Sequence, residues 1–174
     1  MFLNYLKEFL VKKILKNSLL NVKPGSFYAD IETVGLIVDE SYFNHTQLLV
    51  KELVSNGIAE ESIELLVYKS KLKKDFSSSV TKLESAHLDW KGQIKNQAVN
   101  DFLAKDFDLL VSYYDVDKAV LLVATHESKA KFKVGFSAID KRLNNLMINT
   151  NSENYKIFVQ ELFRYLKILN KNRI

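Results

Sequence analysis

Asp39-Glu40-Ser41, Tyr68-Lys69, Tyr113-Tyr114-Asp115 and Ser137 share one property: each follows an apolar run of the kind that forms a buried strand. Open parallel sheets bind ligands outside the carboxyl ends of their strands, at the point where strand order reverses, so these residues should line any pocket. There Asp39 and Asp115 could hold Mg²⁺ or a ribose hydroxyl, and Lys69 could meet a phosphate. Trp90 and Lys91 stand in the least regular stretch, Ser70–Lys95, and are placed to act as a lid. Strands of any parallel sheet end in polar loops, however, so the pattern alone names no reaction.

More specific signatures are missing from the sequence, and that narrows the chemistry. With Cys 0 in 174 residues, disulfides, thiolate nucleophiles, Fe–S clusters and thiolate zinc sites are ruled out. The first strand runs into VDESYFN without a glycine, so the dinucleotide fingerprint and its close approach to a pyrophosphate are absent. No P-loop and no G-x-S-x-G nucleophile elbow occurs. His45, His87 and His126 are isolated from one another, with no pair at helical ligand spacing; His126 suits a helix C-terminus as a cation, and all three are read as structural. The sequence therefore calls for no metal and no cofactor.

Charge is more informative. Residues 1–24 carry five Lys against one Glu, a net +4, and residues 156–174 carry three Lys and two Arg against one Glu, again +4. The body between them is net −4. Lys7, Lys12, Lys13 and Lys16 at one end, and Arg164, Lys167, Lys171 and Arg173 at the other, are candidates for meeting an anionic protein, RNA or membrane surface. A further basic cluster, Lys71, Lys73 and Lys74, opens the irregular stretch, but no RNA-binding motif accompanies it.

The elements that must position these residues can be read from periodicity. Phe2, Leu3, Leu6, Phe9, Leu10 and Ile14 have helical spacing, and Pro24-Gly25 then breaks the chain. The spread of lysines and the lack of a cleavage site argue against a secretory signal, and no apolar run approaches the ~18–20 residues that span a bilayer. Strands are expected at 31–38, 63–69, 107–114, 131–136 and 146–149. Between and after them come helices expected to be capped by Asn44, Asp117 and Thr150, plus one at 96–105. The run AVLLVA at 119–124 is apolar all round and so should be buried. This alternation implies an α/β domain at 25–174: three layers, a mostly parallel sheet, flavodoxin-like or Rossmann-like, preceded by an amphipathic basic helix at 1–24.

At DWKGQIKN (89–96), FDLLVSYYD (107–115) and AKFKVG (130–135) the chain resembles an uncharacterised family of short α/β proteins of flavobacteria and other Bacteroidota. The N-terminal helix and the closing LKILNK are similar too, so the resemblance covers nearly the whole chain. It implies a bacterial cytoplasmic protein, and no activity comes with it. The expectation for function is a non-catalytic interaction module whose basic terminal helices contact an anionic partner. The alternative is an enzyme acting on a nucleotide or sugar-nucleotide at the strand carboxyl ends.

Overall fold

The computed structural model describes residues 2–21, 31–69 and 79–171. The Pro24-Gly25 break, the Lys71/Lys73/Lys74 cluster and Arg173 lie outside them. The order is α1 (Phe2–Ser18), β1 (Val34–Asp39), α2 (Thr46–Ser55), β2 (Ile63–Tyr68), β3 (Ser79–Leu83), α3 (Gln97–Leu103), β4 (Leu109–Tyr113), α4 (Ala119–Glu127), β5 (Phe132–Phe136), β6 (Leu146–Ile148) and α5 (Tyr155–Lys171).

The six strands form one sheet in the order β3-β2-β1-β4-β5-β6, every neighbouring pair parallel. That order is the Rossmann one, which decides between the two windings expected from sequence. β1, β2 and β4 are β-branched and aliphatic because they are covered on both faces. On one face Ile37, Leu66 and Leu110 pack with Val99, Phe102 and Phe107 and with the apolar side of α4. On the other, Leu36, Val38, Val111 and Phe136 pack with α2 and α5. Three layers result, as expected.

β3 is the strand that sequence reasoning missed; within the irregular stretch it is followed by a 3₁₀ turn, Ser85–His87, and by an isolated antiparallel bridge between Leu88 and Ile94. The cap assignments also need correction. α2 starts at Thr46 with His45 in the cap position and no bond from its side chain. α4 has Lys118, not Asp117, in the cap position, and α5 begins at Tyr155, beyond the expected Thr150–Glu153 box. Asn96 does cap α3, its Oδ1 accepting from Val99 N at 3.1 Å.

α4 shows what replaces local caps. Residues Ala119–Thr125 are all buried, because the sheet covers one side of the helix and α1 the other. At its N-terminus the Glu8 carboxylate of α1 accepts from Ala119 N at 2.9 Å. At its C-terminus the Lys133 ammonium of β5 donates to Thr125 O at 2.7 Å and His126 O at 3.2 Å. Both charges complement the helix dipole. Burial of the Lys133 amine pushes its pKa down to about 8.

Candidate functional site

The carboxyl ends of β1 and β4 meet at the sheet's switch point, and Asp39 stands there, buried. Its Oδ1 accepts from Ser41 N at 2.9 Å, while Oδ2 is paired with the Lys118 ammonium. Lys118 also donates to Ser41 Oγ at 3.0 Å and lies over two rings, 4.6 Å from Tyr42 and 4.7 Å from Tyr68. The lysine comes from the turn before α4, so the crevice where this fold accepts ligands is occupied by the chain's own cation. The Tyr68 hydroxyl continues the network to Ser85 Oγ at 2.7 Å.

The other strand-end residues turn to different partners. Buried Glu40 accepts from Thr46 Oγ1 and so holds the first turn of α2. Tyr113 points into an aromatic cluster, with ring centroids 4.8 Å from Phe43, 5.0 Å from Phe136 and 5.1 Å from Phe158. Its hydroxyl donates to Ser152 O at 2.6 Å, and Asp115 accepts from Ser152 N at 2.8 Å. Together they fix the entry to α5. Tyr114 lies on the opposite face, its hydroxyl 2.6 Å from Thr125 Oγ1. Burial pushes both phenols well above their usual pKa, with Asp115 adding to the effect at Tyr113. Ser137 donates to Asn149 Oδ1 at 3.2 Å, and Lys69 is exposed with a left-handed backbone (φ 51°). Asp39 and Asp115 thus each serve a neighbouring backbone amide, and the first serves Lys118 as well.

Trp90 and Lys91 sit in a turn closed by Asp89, whose Oδ1 accepts from Lys91 N and Gln93 N, both at 2.8 Å. The turn abuts α1: Gly92 has φ +79°, and a Cβ there would stand 3.5 Å from Val11 Cγ1 and 4.0 Å from Ile14 Cγ2. Trp90 is 47% exposed.

α1 itself is fastened chiefly through polar groups. Lys7 donates to Ser85 O at 3.2 Å and Leu88 O at 3.1 Å, and Lys12 donates to Asp117 O at 2.7 Å. Arg142, paired with Asp140, donates to Lys16 O at 3.3 Å. Two side chains of α1, Val11 and Leu15, are buried. Phe2, Leu3, Phe9 and Ile14 of the expected stripe face outward, 46–75% exposed, in company with Tyr5 and the exposed Lys13 and Lys16. Lys7 and Lys12 are therefore spent on docking the helix, and Lys13 and Lys16 are presented.

The second basic end lies across the molecule. Lys156, Arg164 and Lys167 line a groove of about 540 Å³ between α5 and α2, facing Glu52 and Asn56. Arg164 is paired with Glu161 at 2.6 Å, and Lys171 is exposed at the helix end. Among the described residues no group of three or more His, Asp or Glu is placed to hold a metal ion, and no helix is long and apolar enough to cross a membrane.

Sequence reasoning missed Lys118, Tyr42 and Glu8. A signal existed for the first: a lone Lys just ahead of the apolar run 119–124, which follows the switch-point strand. Glu8 could have been noticed as the single acid of a basic helix.

Residues 7–169 match a family of unknown function (DUF6913), and the chain belongs to that family. No curated protein and no solved structure matches the chain.

Proposed function

We propose that this protein is a cytoplasmic interaction module: an α/β body that presents the outward face of α1 to an anionic partner. One observation carries the reading. The single acid of α1, Glu8, is turned inward onto α4, which leaves Lys13 and Lys16 among exposed apolar side chains with no acid of their own helix beside them. Electrostatic attraction and apolar burial then act on the same face. The test compares the full chain with Lys13→Glu/Lys16→Glu for retention at low salt on heparin and on vesicles containing an anionic lipid. Salt-sensitive retention that the double variant loses is expected, with circular dichroism unchanged. No retention on either matrix sinks the reading, as does equal loss from Arg164→Glu/Lys167→Glu, which would move the contact to α5.

The nucleotide or sugar-nucleotide reading draws its support from the Asp39–Lys118 pair at the switch point. Lys118 already neutralises Asp39, and Tyr113, Tyr114 and Asp115 are engaged within the fold, so that support is weaker. A thermal-shift panel of nucleotides and nucleotide sugars decides it, because ligand at about 100 times Kd adds about 2.7 kcal/mol of stability. A flat panel removes it.

A further inference from the structure

We infer that the anionic partner of the α1 face is a lipid bilayer surface, on which α1 lies flat with the Trp90-Lys91 turn as a second point of contact. The inference rests on the interaction reading above and names its partner. The outward side chains of α1 include Phe2, Leu3, Phe9, Leu10 and Ile14, which offer a nucleic acid backbone neither charge nor hydrogen bonds. Their natural counterpart is an acyl boundary. A helix of 17 residues is about 25 Å long, and no helix among the described residues is fit to cross a membrane. An apolar face that carries Lys13 and Lys16 and no acid of its own helix is the composition of a helix that rests in the plane of an anionic interface. Lys13 and Lys16 can lay their stems along the apolar surface while their ammonium groups reach lipid phosphates.

The Trp90 turn supplies the independent observation. It lies against the same helix, through Gly92 beneath Val11 and Ile14, and it exposes Trp90 and Lys91 together. An indole with an apolar body and one N–H donor is best accommodated at a membrane–water interface, and the adjacent lysine repeats the pairing of apolar group and cation found on α1. Two chain segments far apart in sequence thus present the same chemistry side by side.

The chain has one Trp, so its fluorescence reports this contact directly. The experiment mixes the full chain with vesicles of phosphatidylcholine alone or of phosphatidylcholine with phosphatidylglycerol, and reads flotation and Trp90 emission. Flotation with the anionic vesicles only, with a blue-shifted emission, is expected. Lys13→Gln/Lys16→Gln should weaken partitioning about 30-fold, and Phe9→Ser by roughly 10-fold or more. Absence of flotation from a chain still retained on heparin overturns the lipid assignment and leaves the interaction reading standing. Absence of both overturns both. A chain that fails to float but forms a dimer, dissociated by Phe9→Ser, shows that a second copy covers the face, and the lipid assignment falls. Flotation with unshifted Trp90 emission overturns the second contact.

Discussion

α1 and α5 are each 17 residues long and lie at opposite ends of the chain in segments of equal charge, yet they are attached in different ways. α5 inserts Phe158, Val159, Leu162 and Leu166 against the sheet and α2. α1 buries Val11 and Leu15 and otherwise hangs on Glu8, Lys7, Lys12 and the carbonyl of Lys16. A buried aliphatic or aromatic side chain is worth about 1.5–3 kcal/mol, and a net hydrogen bond about 1 kcal/mol. α5 is therefore part of the core, while α1 is a fitted cover. Amphipathic spacing reveals that a helix has an apolar stripe; where the stripe points depends on which polar groups find partners.

Four changes test this contrast. The largest effect belongs to Leu162→Ala, which empties a fully buried position under α5. It should cost about 3 kcal/mol in urea denaturation, and a cost below about 1 kcal/mol would show that α5 is no better anchored than α1. Glu8→Ala removes the acceptor at the start of α4 and should cost about 1 kcal/mol. Faster amide exchange confined to α1 and the first turn of α4 would identify it as loss of the clasp. An unchanged exchange pattern would mean that Val11 and Leu15 hold the helix alone.

The third change is acid. The Asp140 carboxyl is held down to about 2, against 3.8 ordinarily, by its hydrogen bond from Arg142, with burial opposing. Because the folded pKa is lowered, its contribution is complete above pH 3.8 and is lost as pH falls through about 2. Both side chains are partly exposed, so the pair is worth under about 1 kcal/mol. Its loss should show as faster exchange at the C-terminal end of α1, where Arg142 holds Lys16 O, and Asp140→Asn should abolish that pH dependence. The smallest effect is that of Phe9→Ser, expected within about 0.5 kcal/mol of wild type, although the lipid assignment proposed above has the same change weaken vesicle binding. A cost above about 1.5 kcal/mol would show that this side chain is covered in the isolated protein.

The layers of the fold were legible because β1, β2 and β4 are buried on both faces and must be written in β-branched and aliphatic residues. β3, Ser79–Leu83, was not legible: an edge strand paired on one side alternates Val80, Thr81, Lys82 and Leu83 without a continuous apolar run. Helix starts depart from the local cap pattern where the cap comes from elsewhere in the fold, as Glu8 does for α4 and as Asp115 anchors the segment before α5. The strand-end residues could be gathered from sequence, since topology alone brings Asp39 and Tyr113 near one another. What each side chain does there could not, because Lys118 and Ser152 are brought to them by packing.

The bond between Glu8 and Ala119 also sets an order of events in time. Its two ends are 111 residues apart, and at ordinary rates of synthesis that distance takes roughly 5–20 s to translate. Throughout that interval α1 lacks the helix it covers and its clasp, although Ser85 and Leu88, whose carbonyls Lys7 also binds, are made before α4. Of all the elements described, the one made first is among the last to be seated, and slowing translation between β1 and α4 lengthens its exposure without altering a single contact in the finished protein.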